Sequence, residues 1–210
     1  MQRGVLTLSL VVGLAAPVEA QWLGEPVWNS PAGGGLAISG DYARPNSGYG
    51  GGNTLGLRVS RAVGSETVLT AGIASWEPGV AHENLASIGL SAAFRLPGVR
   101  ALPMATNLQV GAAYTEVGNF VLFFGSATTV TGALGLSLPL AARGWMVEPY
   151  FSPGLRYRSA SGGGNSTQFG YAIGANVGFG SLGVHLAYDA EKVKGGGDVA
   201  VFGVGAHVAP

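Results

Sequence analysis

His185 and Asp189 stand four residues apart, a spacing that puts an imidazole and a carboxylate on the same face of an extended strand. Asp41, Arg58, Glu148, Arg156 and Arg158 occupy equivalent positions in other segments, among small residues and opposite large apolar ones. Three kinds of chemistry fit such a set: an acid–base pair for hydrolysis, a ring of charge that screens ions, or internal salt bridges. Other motifs fall short. His82-Glu83 begins like a metal-binding helix motif, but the run continues Asn84-Leu85-Ala86 with no second histidine. His207 has no partner that the sequence identifies. Gly178-Phe179-Gly180-Ser181-Leu182-Gly183 has the spacing of a dinucleotide loop, yet a strand follows it where a helix N-terminus is needed to hold the pyrophosphate. No G-x-S-x-G elbow occurs. No catalytic residue, metal site or cofactor is therefore assigned.

The elements that carry these residues read as ten strands, near 34–43, 54–62, 67–76, 85–94, 106–116, 126–138, 145–158, 167–179, 182–190 and 199–208. Each alternates large apolar residues with small or ionised ones. Ile88, Leu90, Ala92 and Phe94 oppose Gly89, Ser91 and Ala93; Leu182, Val184, Leu186 and Tyr188 oppose Gly183, His185, Ala187 and Asp189. Side chains alternate across a strand, so every segment has one greasy face and one small or charged face. Gly-rich segments follow the odd strands, including Gly118–Gly125 with its apolar Phe120–Phe124 run. Shorter connections follow the even ones, ending with the Gly180-Ser181 pair suited to a hairpin turn.

A soluble sandwich would put Lys and Glu opposite its core. Here the second face is Gly, Ala and Ser with scattered charges, and only 10% of the 210 residues are charged against 47% hydrophobic. An ordinary soluble domain carries roughly 25% charge. The tyrosines point the same way. Tyr42, Tyr114, Tyr157, Tyr171 and Tyr188 lie on the greasy face near the ends of odd-numbered strands, forming one girdle, with Phe94, Trp145 and Phe179 at the opposite edge. Aromatic girdles mark the two interfaces of a transmembrane barrel, whose greasy face points outward. The expected fold is all-β: an antiparallel up-and-down transmembrane β-barrel of ten strands, or eight if the first or last hairpin is peripheral. Small inner residues (Gly72, Ala74, Gly89, Ser91, Gly111, Ala113, Gly135) are expected to leave room for water.

Residues 1–20 read as a signal peptide: Arg3, an apolar stretch from Val5 to Ala16, then Val18-Glu19-Ala20 at the cleavage positions. The apolar stretch is shorter than the ~20 residues a membrane helix needs. Residues 21–32, with Trp22, Trp28, Pro26 and Pro31, form a lead-in segment, and 33–210 the barrel. The chain has no cysteine, which excludes a disulfide scaffold and a lipid anchor on the mature N-terminus, and its formal net charge of +0 supplies no field for nucleic acid.

The signal peptide, the amphipathic strands, the tyrosine girdle and the Glu148-Pro149-Tyr150-Phe151 to Tyr157 segment resemble those of small bacterial outer-membrane β-barrel proteins. The resemblance implies the outer membrane of a diderm bacterium as location, with membrane lipid and the outer-membrane assembly machinery as partners. Members usually end in an aromatic residue, whereas this chain ends His207-Val208-Ala209-Pro210. The resemblance does not extend to the outer-membrane proteases, or to the lipid A deacylases and phospholipases, which pair a histidine with a serine. Gly183-Val184-His185-Leu186-Ala187 offers no serine two residues beyond the histidine. The leading expectation is a non-enzymatic barrel, structural or a narrow porin-like pore. The alternatives are a ligand or adhesion module using the Phe120–Phe124 loop, and a hydrolase centred on His185 and Asp189.

Overall fold

In the computed structural model, residues 25–28, 35–79, 84–96, 104–120, 123–161, 164–192 and 199–209 are described. Residues 1–20 and the His82-Glu83 pair lie outside them. The chain forms β1 (Leu36–Pro45), β2 (Asn53–Val63), β3 (Thr67–Glu77), β4 (Leu85–Arg95), β5 (Ala105–Phe120), β6 (Phe123–Ser137), β7 (Leu140–Ala142), β8 (Trp145–Ala160), β9 (Asn165–Phe179), β10 (Leu182–Glu191) and β11 (Val199–Val208). Each long strand pairs antiparallel with its neighbours in sequence. β1 pairs with β11, and β6 pairs with β8, which closes ten strands into a barrel. Closure matters because an unpaired strand edge is untenable in hydrocarbon. The first and last hairpins are integral to the ring, so the eight-strand alternative does not hold.

The short eleventh strand, β7, continues the line of β6 after Pro139, which cannot donate to a ladder. It folds onto the start of β8, pairing Leu140 with Val147 and Ala142 with Trp145. At the next turn Phe179 pairs with Leu182 across Gly180-Ser181, and Gly180 takes φ 61°, a conformation that favours glycine. That is the hairpin expected at this G-x-G-x-x-G run.

The outward side chains have no protein to pack on. Leu55 is 65% exposed, Leu90 62% and Ile88 60%, whereas the inward Ala113 and Thr131 are 3% and 0% exposed. A continuous apolar belt of this kind has hydrocarbon as its solvent. On that outer face Tyr42, Tyr114, Tyr157 and Tyr188 are exposed, and Tyr171 is half-buried with its ring 6.1 Å from that of Phe151. Tyr171 lies near the start of an even barrel strand, β9, where that strand leaves the rim shared by the other four. At the opposite rim the rings of Trp145 and Phe179 meet edge-on at 4.0 Å.

The expected Gly118–Gly125 loop is mostly strand. β5 runs on to Phe120, β6 starts at Phe123, and the ladder between them shifts register after Val117. Residues rich in Phe and Val favour extended backbone, so the hairpin continues beyond the girdle.

Candidate functional site

The inner face gathers the ionisable residues into two networks, each reaching across a glycine. In the first, Arg58 on β2 holds Asp41 on β1, with Nε 2.5 Å from Oδ2 and Nη2 3.0 Å from Oδ1. His185 on β10 reaches the same carboxylate, its Nε2 2.5 Å from Oδ1. β1 and β10 are not neighbours, since β11 runs between them, and Gly205 is the β11 residue level with both. A side chain at Gly205 would collide with Asp41 and His185. Arg58 Nη2 also lies 3.1 Å from His185 Nε2, so the three side chains meet at one point. The His185 Nδ1 lies 3.4 Å from Nδ1 of His207, with the two rings stacked at 5.6 Å. His207 is thus partnered after all, because the β10–β11 ladder sets it opposite Gly183, which leaves space for the imidazole.

The second network lies on β8 and β10. Arg156 forks onto Asp189, with Nη2 donating to Oδ2 at 2.8 Å and Nη1 in ion-pair contact with Oδ1 at 2.6 Å, and reaches Glu191 at 3.3 Å. It crosses β9 over Gly170, where a side chain would collide with the guanidinium. Arg158 makes a second fork with Glu191, at 2.7 and 2.5 Å. Bidentate, charge-assisted bonds of this kind are the strong ones. Tyr49, from the turn Ser47–Tyr49 after β1, covers this end of the lumen. Its ring lies 5.4 Å from the Arg158 guanidinium and 5.6 Å from the ring of Trp76.

His185 and Asp189, side by side in sequence, therefore belong to different networks. Both ring nitrogens of His185 are engaged, Nε2 by Asp41 and Nδ1 by His207. Glu148 joins neither arginine fork and accepts from Ser137 Oγ at 2.7 Å. The small inner residues do not simply hold water. At Gly135 the space is taken by the side chains of Asn107 and Gln109.

The feature that sequence reasoning missed is the lead-in segment. Glu25 to Trp28 is buried inside the barrel. Val27 donates its backbone N–H to Asp189 Oδ2 at 2.8 Å. The Trp28 ring lies 5.0 Å from the Arg58 guanidinium and meets His185 edge-on at 4.7 Å. Val27 and Trp28 complete an apolar cluster with Tyr150, Ala172 and Ala187. Glycines again make the space: a methyl at Gly203 would sit 2.8 Å from the Trp28 ring, and one at Gly56 would strike Glu25. Glu25 Oε2 accepts from Trp28 Nε1 at 3.2 Å, but its Oε1 has no hydrogen-bond partner among the described residues.

Docking of this segment is finely balanced. Burying an indole of ~150–250 Å² at ~25 cal/mol per Å² gains about 4–6 kcal/mol. Ordering four backbone residues costs about 4–8 kcal/mol. An unsatisfied buried carboxylate then weighs against the docked state. Glu25→Gln is accordingly expected to hold the segment in place more firmly. In a Val27→Cys background, unique because the chain lacks cysteine, it should slow modification by a water-soluble thiol reagent roughly tenfold or more. An unchanged rate would show that the carboxylate imposes no cost.

No family model matches the chain, and no curated protein does. Solved structures do match. One is a bacterial polysaccharide outer membrane secretin, 11% identical, with 84% of this chain covering 65% of that one at a TM-score of 0.49. Another is the beta domain of the Bordetella autotransporter Brka, 15% identical, with 85% of this chain covering 100% of that one at 0.50. A third is Ail of Yersinia pestis in a phospholipid bilayer nanodisc, at 16% identity, 84% and 99% coverage and 0.41. This chain thus spans just under two thirds of the secretin chain. Identities this low speak to fold alone, and of these three the Brka domain is the match that carries weight. With closure, the outward apolar belt and the charged interior already established, the chain has the fold of the outer-membrane β-barrels.

Proposed function

We propose that the protein is a non-enzymatic barrel of the outer membrane of a diderm bacterium, closed to ions and structural in role. Occupation of the lumen by Glu25–Trp28 is the observation that carries this reading. A segment buried among Arg58, Tyr150, Ala172, Ala187 and His185 stands where a water path would run. The two networks support the same view, since the arginine forks tie the inner wall together across β9 and the His185–Asp41 contact ties it across β11. Tyr42, Tyr114, Tyr157, Tyr171 and Tyr188 set its depth in the lipid, and delivery would depend on the outer-membrane assembly machinery. The charge cluster Asp41, Arg58, Glu148, Arg156, Arg158, His185 and Asp189 stiffens the cylinder; it does not select ions or catalyse.

Planar-bilayer recording tests the reading. The purified protein is expected to give no unitary conductance above the lipid baseline. Steady channel openings from the full-length chain would replace it with the pore reading.

A further inference from the structure

The wall that receives Trp28 keeps its own pairings. Arg58 has two nitrogens on Asp41, His185 has Asp41 and His207, and Asp189 has the Arg156 fork. Withdrawing residues 25–28 would take the Val27 N–H from Asp189 but leave each of these wall charges facing an opposite charge or a ring partner. It would uncover a flat slot, with the Arg58 guanidinium on one side, the His185 edge on another, and Tyr150, Ala172 and Ala187 as an apolar floor. The Gly203 gap receives the far edge of the ring. Such a slot suits a planar aromatic, which is attracted by a cation over its face and an edge-on ring at its side.

The resident occupant fits at one end only. Its indole is well received, while Glu25 Oε1 is buried without a hydrogen-bond partner among the described residues. A molecule that brings the ring without the acid avoids that cost and need not order a backbone segment. From this mismatch we infer that the lumen slot is a binding site for a small neutral planar aromatic of indole size, for which Trp28 competes from within the chain. The inference rests on the closed-lumen reading: the aromatic enters by displacing residues 25–28, and the barrel opens only as far as the ligand permits.

Indole itself is the probe, and the Val27→Cys chain reconstituted in nanodiscs reports the displacement. The thiol is expected to react slowly alone and at least tenfold faster with indole, the rate saturating with concentration. Cyclohexylmethanol, similarly apolar but not aromatic, should leave the rate near its starting value. A rate that ignores indole overturns the proposal. So does one that climbs without saturation and equally with both compounds, the signature of partition into lipid. Equilibrium dialysis of the unmodified chain gives the same answer without a substitution: one saturable site per barrel supports the proposal and none refutes it. Failure of the closed-lumen reading is separately visible as channel openings recorded without indole.

Discussion

Replacing Arg156 with methionine is expected to destabilise the folded barrel by about 3–5 kcal/mol, the usual consequence of stripping one partner from a buried ion pair. Arg156 is 1% exposed, and its fork is the main counter-charge for an equally buried Asp189. Among the described residues, methionine leaves that carboxylate inside the wall with the Val27 N–H, itself on the plug, as its hydrogen-bond donor, and with the more distant Arg158 as counter-charge. An exposed pair of the same residues would contribute about 0–1 kcal/mol, so burial decides the magnitude. Removing both charges, with Arg156→Met and Asp189→Leu together, should recover most of the loss, because two apolar groups of similar volume incur no desolvation cost. Urea titration of the barrel in thin phospholipid vesicles reads both values. Equal losses in the single and double variants would mean that packing over Gly170, not charge, is what Arg156 supplies.

The second large effect lies on the other face. Leu90→Arg is expected to cost about 2–4 kcal/mol in lipid, falling to about 0–1 kcal/mol for the same change near a rim. Leu90 is 62% exposed and pairs with Ala71 and Ala112, between the level of Tyr114 and that of Phe94. Leu36, opposite Arg61 at the start of β1, is the rim comparison. The same vesicle titration separates the two. A soluble fold predicts the reverse ordering from inner-face substitutions, since its dry side would be the one that cannot accept charge.

The sequence made the strands and their faces legible because both depend on a two-residue period. The expected 85–94 and 182–190 strands differ from β4 and β10 by one residue at one end. What joins the charges was not legible, because it depends on register between strands distant in the chain. Asp41, Gly205 and His185 share a level only once β11 is inserted between β1 and β10. Arg156 finds Asp189 only across Gly170. Inner glycines therefore looked like empty space, when several are the gaps over which long side chains reach. Glu25–Trp28 has no periodicity to betray it. The available signal was Val27 and Trp28 in a stretch with no strand partner, apolar groups that had to be buried somewhere. His207 looked solitary because its partner sits across a hairpin whose faces, but not whose pairing, were assigned. The Phe-rich hairpin tip reads as the break after the fifth strand because glycines bound it, although its residue types favour strand.

The direction in which the bulky side chains face separates a lipid-embedded barrel from a dry-cored one, and spin-label accessibility measures it directly. Nitroxides placed singly at Leu57, Leu90, Leu136 and Val184, in the barrel reconstituted in bilayers, should collide readily with dissolved oxygen and poorly with an aqueous nickel chelate. The expected pattern is lipid contact at all four. Labels at these positions shielded from both reagents would place them in a dry protein centre and contradict the structure described here.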